Sequence, residues 1–354
     1  MRTLLLAASA ALALALPLAA QETAKPAALA PSEIVAAAPK ADWVAIPAED
    51  VLVMTLAPDA EGKSRTVVIQ LMPAPFSQGW VHNIRLFARA KWYDGISVNR
   101  VQDNYVTQWG DPNYDNPEAK GKPKPLPEGL TVMGEADYSA VFPEFPTMPN
   151  LFPVTATQRN AWLYELAKKG FVPETKTIQD AIARQKGDSY ANETFLLKGW
   201  PFGSGRNDDG VEAFWPTHCY GMVGVGRNYS PDTGSGAELY TVIGHAPRHL
   251  DRNIALVGRV IEGMQFLSSL PRGSGDLGFY TAEESAKRTP ILSVRVASDL
   301  APSEQPAFEY LSTESTTFAT YAEAIANRRD PFFIAPAGGA DICNIRVPVR
   351  RVAD

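Results

Sequence analysis

The chain has 354 residues, of which 45% are hydrophobic and 20% charged, a balance typical of globular rather than disordered proteins. Its formal net charge of −6 argues against nucleic-acid binding, which requires a basic surface to neutralise phosphates. The 4 histidines and 2 cysteines lack the spacing of metal ligands, so we expect no metal site. Its 29 prolines and 26 glycines favour a loop-rich, mainly β protein.

Residues 1–20 have the pattern of a secretory signal peptide. Arg2 supplies the positive start, residues 4–18 form the apolar segment, and Ala19 with Ala20 provides a small-residue cleavage site. Together with the two alanines the apolar run covers 4–20, about 17 residues, only marginally long enough to span a bilayer, and no basic flank follows it; an uncleaved anchor is the alternative. We therefore expect a periplasmic or secreted protein with no integral membrane segment after signal removal.

The next segments combine a linker with strand and helix signals. Residues 21–43 are rich in alanine and proline and are predicted to be a flexible leader. Strands are predicted at 51–56 and 66–72, joined by a hairpin connection. A helix follows, with Ser77 as its N-cap. The apolar face of this helix is predicted to consist of Trp80, Ile84, Phe87 and Ala88.

Residues 112–210 differ in character from the rest of the predicted 44–300 domain and are interpreted as an insertion. They begin with a loop rich in proline and lysine, and two helices are predicted further along, at 157–169 and 177–186. Strand patterns return after this insertion, at 222–225, 239–243, 254–257 and 292–296. Several short strands without βαβ alternation indicate a closed antiparallel barrel, which leaves no exposed sheet edge.

The C-terminal extension, 301–354, contains a predicted helix between Ser312 and Arg329, with Ser312 or Thr313 as its cap. Cys219 and Cys343 could form a disulfide between this extension and the barrel if the compartment is oxidising. Two buried, unpaired thiols are the alternative.

One block stands out for its chemistry. The segment from Tyr93 to Val101 places Arg100 beside an apolar run, and Tyr105 and Gln108 follow shortly after it. Taken with later blocks, the order and spacing resemble the cyclophilin family of peptidyl-prolyl cis/trans isomerases. The matching stretches are 83–87, 93–95, 99–101, 108–111, 221–225, 232–236, 238–240, 250–251 and 257–264.

This resemblance implies a mainly β fold: a closed antiparallel eight-stranded barrel with capping helices, to which the insertion and a helical C-terminal extension are added. It also implies peptidyl-prolyl isomerase activity on proline-containing polypeptides, with Arg100 as the catalytic residue and no cofactor. We expect a monomer. By resemblance, the substrate-binding residues are Tyr105, Val106, Gln108, Gly226, Arg227, Glu238, Tyr240, His249, Leu250 and Ile254.

The physics of the reaction explains the expected role of Arg100. Rotation about an X–Pro bond faces a barrier of about 20 kcal/mol because the amide is stabilised by resonance. A cation that hydrogen-bonds the prolyl nitrogen withdraws its lone pair from that resonance. Arginine suits this role because it stays charged and its planar head can be held fixed. The contact strengthens as the nitrogen becomes pyramidal, so it stabilises the transition state selectively.

Several positions depart from the usual pattern of the family, and the pocket is predicted to be more polar than is usual there. The departures are asparagine for histidine at 99, tyrosine for phenylalanine at 105 and 240, glutamate for glutamine at 238, histidine for tryptophan at 249 and valine for phenylalanine at 257. Glu238 could pair with Arg100 or Arg227. The altered pocket supports an alternative function: a catalytically weak or inactive cyclophilin-like protein that binds peptides as a chaperone or envelope adaptor.

Other motifs fail on their context. Residues 221–226 have a loose dinucleotide-loop spacing but lie in a predicted strand with no following helix. His218 beside Cys219 suggests a catalytic pair, but neighbouring residues of a strand point to opposite faces. We therefore interpret His218 as a histidine whose hydrogen bonds are satisfied within the fold.

Overall fold

The structure is a computed structural model that describes residues 28–113, 121–141, 188–206 and 210–352. The predicted signal peptide and both helices predicted within the insertion lie outside the described residues. Among the residues described, no helix combines the length and apolar character needed to cross a membrane.

The described residues form short strands and few helices. The strands are β1 (Trp43–Ala45), β2 (Val51–Leu56), β3 (Arg65–Leu71), β4 (Ser97–Val101), β5 (Val106–Gly110), β6 (Ala140–Val141), β7 (Glu193–Leu197), β8 (Trp200–Arg206), β9 (Glu212–Pro216), β10 (Met222–Val225), β11 (Leu239–Val242), β12 (Leu256–Glu262), β13 (Ile291–Val296), β14 (Phe308–Leu311) and β15 (Val349–Arg351). The α-helices are α1 (Pro31–Ala36), α2 (Gln78–Arg89), α3 (Gln265–Ser268) and α4 (Thr316–Ala326). Short 3-10 helices are Lys40–Asp42, Ala48–Asp50, Glu135–Tyr138, Arg248–Leu250, Asp276–Gly278, Ser285–Lys287, Ala297–Asp299, Pro302–Glu304 and Ile342–Asn344.

Eight of these strands form one sheet in the order β13-β2-β3-β12-β10-β11-β5-β4. All of its neighbouring pairs are antiparallel. The two ends of the sheet meet where Ser97 bridges Pro290 and where the Val98 N–H donates to the carbonyl oxygen of Thr289 at 2.9 Å. This nearly closed barrel confirms the predicted fold class.

Helix α2 covers the barrel with the apolar face that the sequence predicts. Trp80, Ile84 and Phe87 on that face are completely buried in the main core. Ser77 does occupy the N-cap position, but its φ of 55° is left-handed and its side chain makes no capping hydrogen bond. The helix is therefore stabilised by burial of its apolar face rather than by a serine cap.

The described part of the insertion contains strands that the sequence analysis did not predict. β7 and β8 pair with each other, and β9 and β6 continue the same sheet in the order β6-β9-β8-β7. Phe195, Phe202 and Phe214 bury their rings on the main core. β8 begins with Trp-Pro and carries two glycines, which hides the alternating pattern from which a strand is normally recognised.

The leader and the extension fold together, which corrects two expectations. Residues 31–36, predicted as flexible, form α1, because Ile34 is buried in a cluster with Phe318 of α4. The extension is also not purely helical: β14 pairs with β1 and β15 in a three-stranded sheet. Its helix is capped by Ser315, whose Oγ accepts from the N–H of Phe318 at 3.0 Å, instead of by residue 312 or 313.

A disulfide joins the extension to the barrel. Cys219 lies just before β10, and Cys343 lies in the extension 124 residues later, with their Cα atoms 5.0 Å apart. Of the two alternatives for this pair, the structure contains the bonded one.

Candidate active site

A cavity of about 820 Å³ opens on the outer face of the barrel, beside β4, β5 and β11. Among its lining residues are Arg100 and every predicted substrate-binding residue except His249. The complete lining is Arg100, Tyr105, Val106, Gln108, Gly226, Arg227, Asn228, Tyr229, Glu238, Tyr240, Leu250, Ile254, Leu277 and Phe279. The structure thus brings these residues together, while their roles in substrate binding stay predictions.

Arg100 is held at the wall of this cavity by three acceptors. Its Nε donates to the carbonyl oxygen of Leu277 at 2.7 Å, and its Nη1 donates to Oε1 of Gln108 at 3.1 Å. Its Nη2 donates to Oε1 of Gln102. Gln108 lies directly opposite Arg100 in the β4–β5 register, so the strand pairing itself sets one of these contacts. A guanidinium held at three points loses little freedom when a substrate arrives.

Two aromatic rings flank the guanidinium. Its Cζ lies 5.6 Å from the ring centre of Tyr105 and 5.4 Å from that of Phe279, distances at which a cation is attracted to a ring face. Burial lowers the pKa of Arg100, but an arginine side chain remains protonated in proteins. The site therefore contains a fixed, partly desolvated positive charge, whose electric field is stronger than it would be in water.

A carboxylate stands behind Gln108. The Gln108 Nε2 donates to Oε2 of Glu238 at 2.9 Å, while its Oε1 accepts from Arg100. The link between Glu238 and Arg100, which the sequence suggested as a pair, thus passes through Gln108. This arrangement fixes the orientation of the Gln108 amide, because only its oxygen can accept from arginine and only its nitrogen can donate to a carboxylate.

The floor of the cavity is apolar and contains Val106 and Tyr240. Both are buried, in a cluster that Tyr105 and Ile254 border. Gly224 lies opposite Tyr240 in the β10–β11 register, and a Cβ there would come within 2.3 Å of the tyrosine Oη. The absence of a side chain at 224 therefore makes room for the tyrosine at this position.

The hydroxyl group of Tyr240 is bonded inside the protein. It lies 2.9 Å from Nε2 of His218, a completely buried residue. The predicted increase in pocket polarity is thus offset at this position, because the added hydroxyl has a partner in the interior. Burial raises the pKa of Tyr240 well above its usual value, so the phenol stays neutral.

His249 is the predicted binding residue that does not line the main cavity. Its ring stacks on that of Tyr105, with ring centres 6.4 Å apart and an angle of 9° between the planes. It lines a second cavity of about 380 Å³ together with Trp215 and Arg248. His249 therefore lies beside Tyr105 rather than in the lining of the main cavity, and its role in substrate binding stays a prediction.

Sequence reasoning missed Gln102, Leu277 and Phe279. Phe279 reaches the site through a single β-bridge with Arg100, and Leu277 offers only its backbone oxygen, so no side-chain pattern identifies it. The one available signal was the glycine-rich stretch 273–278, which indicates a loop, and loops often contribute to binding sites.

The described residues contain no group of three or more histidine, cysteine, aspartate or glutamate side chains arranged to hold a metal ion.

Comparison with known proteins gives both a family and a fold. The family model for cyclophilin type peptidyl-prolyl cis-trans isomerase/CLD matches residues 66–296. Cyclophilin AquaCyp293 from Hirschia baltica is 18% identical, with a TM-score of 0.56, over 88% of this chain and 95% of that chain. That likeness supports the fold.

More distant structures are also similar. A Cryptosporidium parvum cyclophilin type peptidyl-prolyl cis-trans isomerase, solved in the presence of the dipeptide Ala-Pro, is 9% identical with a TM-score of 0.32, over 69% of this chain and 96% of that chain. No curated protein matches the chain. Because the family model covers most of the chain and the strands form the expected barrel, the protein belongs to the cyclophilin-type peptidyl-prolyl cis-trans isomerase family.

Proposed function

We propose that this protein is a peptidyl-prolyl cis/trans isomerase that acts on proline-containing polypeptides, with Arg100 as its electrostatic catalyst. The observation that carries the proposal is the position of the Arg100 guanidinium, held by three acceptors at the wall of a cavity with an apolar floor. Membership of the family supports isomerase activity in general, and the geometry supports this particular residue.

The proposed mechanism follows from the donors that Arg100 retains. A guanidinium has five N–H groups on three nitrogens. Each nitrogen, Nε, Nη1 and Nη2, already donates one hydrogen bond here. The remaining hydrogens on Nη1 and Nη2 are available to a prolyl nitrogen in the cavity. Donation to that nitrogen weakens the amide resonance, so the contact is stronger at the twisted transition state than in either planar isomer.

The other residues hold the substrate in this proposal. The apolar floor of Val106 and Tyr240, with Leu250 beside it, accepts the five-membered ring. Gln108 keeps Arg100 in place and offers its amide to the peptide backbone. Gly226 and Arg227 line the path of an extended chain.

We also propose an extracytoplasmic location. The signal-like residues 1–20 and the disulfide between Cys219 and Cys343 support it, because disulfides persist in oxidising compartments. Mass spectrometry of the protein recovered from its native source tests this directly: a mature chain that begins at residue 21 is expected. A chain that retains residues 1–20, or carries free thiols, would contradict it. The monomeric state stays a prediction, for light scattering to test.

The activity is tested by measuring isomerisation of a short X–Pro peptide with the wild type, Arg100→Ala and Arg89→Ala. Arg89, at the end of α2, is a control because it forms exposed ion pairs with Glu49 and Asp299. We expect kcat/KM to fall about 100-fold for Arg100→Ala, as when one transition-state donor is removed, and to be unchanged for Arg89→Ala. A wild type with the rate of buffer alone would overturn the proposal.

Peptide binding without catalysis is the second candidate. It is favoured by the same three acceptors, because Leu277, Gln102 and Gln108 already occupy donors that a substrate could use. Titration of the wild type with the same peptide separates the two functions. Saturable binding with no rate enhancement would identify a binding protein.

A further inference from the structure

A chain of buried polar groups lies behind the floor of the pocket, and the mechanism above does not use it. Its members connect, in order, Tyr240, His218, Asp251, Arg248 and Asp188. The chain begins in the floor of the main cavity and ends at Asp188, in the insertion. We call it the buried polar chain.

The first links are short and fully enclosed. The Nε2 of His218 lies 2.9 Å from the Tyr240 Oη, and its Nδ1 lies 2.9 Å from Oδ1 of Asp251. The same Oδ1 accepts the backbone N–H of His218 at 2.9 Å. The side chains of His218 and Asp251 are 1% and 2% exposed, so water does not compete for these bonds.

The remaining links are ion pairs that connect Asp251 to the insertion. Arg248 donates through Nε to Oδ2 of Asp251 at 2.5 Å, and through Nη1 and Nη2 to the two carboxylate oxygens of Asp188 at 2.9 and 3.1 Å. The side chains of Arg248 and Asp188 are 4% and 7% exposed. A bidentate, buried arginine–carboxylate pair fixes distance and angle together.

The proton positions follow from the chemistry of the partners. Burial lowers the pKa of His218, against the opposing effect of Asp251, so the imidazole is neutral and carries one N–H. Asp251 already accepts from the backbone N–H of His218 and from Arg248, so its Oδ1 acts as an acceptor and the imidazole N–H is on Nδ1, pointing at Asp251. Nε2 is then an acceptor, and the Tyr240 hydroxyl donates to it.

This direction of donation matters for the pocket. With its proton committed to His218, the Tyr240 hydroxyl is held away from the cavity, and the ring is fixed at its far end. The ring of Tyr240 rather than its hydroxyl then meets the proline ring of a substrate. Tyrosine at this position can form an apolar floor only while His218 accepts a hydrogen bond from its hydroxyl.

We propose that His218 and Asp251 are positioning residues for Tyr240 in the prolyl pocket, and that Asp188 and Arg248 extend this support to the insertion. The inference rests on the proposed isomerase function and deepens it. His218 contacts no substrate atom in this account, and it acts only through the orientation of Tyr240. Loss of His218 therefore affects substrate binding more than the chemical step.

The test measures KM and kcat separately for His218→Ala, the conservative His218→Gln, Tyr240→Phe and the double variant His218→Ala/Tyr240→Phe. Without His218 the buried hydroxyl has no acceptor and turns towards the cavity or recruits water, so we expect KM to rise about tenfold with little change in kcat. Glutamine can accept the phenolic proton, so His218→Gln is expected to restore most of the affinity. In the Tyr240→Phe background, His218→Ala should have no further effect on KM.

Thr241→Val provides the matched control for general destabilisation. Thr241 is the neighbour of Tyr240 on β11, is completely buried, and donates its hydroxyl to the carbonyl oxygen of Met222 at 3.2 Å. It is expected to lower stability without changing KM. Asp188→Asn, at the far end of the buried polar chain, is expected to raise KM about twofold to threefold, because an uncharged amide still bonds to Arg248.

These measurements distinguish the positioning role of His218 from the isomerase activity itself. An unchanged KM in His218→Ala, or an equal rise in KM with and without the Tyr240 hydroxyl, would overturn the positioning role while leaving the isomerase activity intact. A wild type with no rate enhancement would overturn the proposed function, and this role with it. A rise in KM for Thr241→Val equal to that for His218→Ala would reduce the effect to stability and also overturn the role.

Discussion

The two sides of the pocket are built in different ways. The Arg100 wall, formed by Arg100, Gln108 and Glu238, is held by residues that face one another across neighbouring strands and by one loop. The Tyr240 wall, formed by Tyr240 and Val106, is held from behind by His218 and the buried polar chain. The Arg100 wall presents a cation to the cavity. The Tyr240 wall presents an apolar surface, because the Tyr240 hydroxyl is bonded in the interior.

The difference shows how a barrel tolerates polar substitutions at a site that must accept a proline ring. On the Arg100 wall, charge is exposed to the substrate because its field is the proposed catalytic device. On the Tyr240 wall, a hydroxyl is accommodated because a histidine in the interior accepts a hydrogen bond from it. A hydroxyl with no partner there would cost about 1–3 kcal/mol.

Removal of the disulfide should have the largest effect, because it loosens the segment that carries the Tyr240 wall. Cys219 directly follows His218, and its bond to Cys343 spans 124 residues. For Cys219→Ala/Cys343→Ala we expect the free energy of unfolding to fall by about 4–5 kcal/mol on the chain-entropy model. Denaturant titration measures this quantity. Equal midpoints for the variant and the oxidised wild type would contradict the expectation.

Gln108→Leu should disturb the Arg100 wall and leave the Tyr240 wall unchanged. It removes an acceptor of Arg100 and the donor to Glu238, so the guanidinium is less well placed. We expect kcat/KM to fall roughly 10- to 100-fold, with a lower kcat because the guanidinium is misplaced and a higher KM because the amide offered to the peptide backbone is lost. Gln305→Leu is the control, since Gln305 bonds to the carbonyl oxygen of Leu300 in the extension. Equal activity in the two variants would show that Gln108 does not hold the catalyst.

The pH dependence of stability should reveal the buried histidine of the Tyr240 wall. The pKa of His218 is lower in the folded protein than the usual value of about 6.5 expected for the unfolded chain. Between these two pKa values the unfolded chain binds more protons, so the free energy of unfolding falls as the pH drops through that window and levels off below the folded pKa.

Comparison of the wild type with His218→Gln isolates this contribution. We expect the wild type to lose up to about 1.4 kcal/mol for each unit of pKa difference, and the variant to lack that part of the slope. Unfolding curves measured from pH 7 down to pH 4 provide the test. Parallel pH profiles for the two proteins would contradict the neutral, buried state of His218.

Tyr105→Phe should have the smallest effect and sharpens the contrast with Tyr240. Tyr105 is half-buried and contacts Arg100 through its ring face, which phenylalanine retains. We expect kcat/KM to change by less than about twofold, as is usual when the packing ring is kept. A loss of about tenfold or more would show that the Tyr105 hydroxyl is needed for activity, and would contradict the account in which only its ring acts.

Much of the barrel could be predicted from the sequence because its signals are local. β2 and β3 are nearly continuous apolar runs rich in β-branched residues, which are visible in a few consecutive residues, and the predicted strand ranges match within one residue. α1 could not be predicted, because its alanine- and proline-rich residues fold only when Ile34 packs against α4. β8 was missed for a related reason: its proline and glycines obscure the pattern, and its pairing with β7 and β9 decides the structure.

In the candidate site, too, residues close together in the sequence could be predicted and contacts between distant segments could not. Arg100, Tyr105 and Gln108 lie within one short block, so a resemblance could identify them together. The contacts of His218 with Tyr240 and Asp251 could not be predicted, because the three residues come from separate segments, and the sequence supported only a satisfied histidine at this position. Leu277 was equally hidden, since it contributes a backbone oxygen.

The central claim is that the fixed guanidinium of Arg100 catalyses rotation about the prolyl bond. Exchange NMR on a proline peptide, with equal concentrations of wild type and Arg100→Lys, tests it most directly, because binding and isomerisation are observed in one sample. Lysine keeps the positive charge but has no planar fork to be held by Leu277 and Gln108. We predict cis/trans exchange peaks with the wild type and a loss of at least about tenfold in exchange rate with Arg100→Lys, at similar peptide affinity. Equal exchange rates in the two proteins would contradict the account.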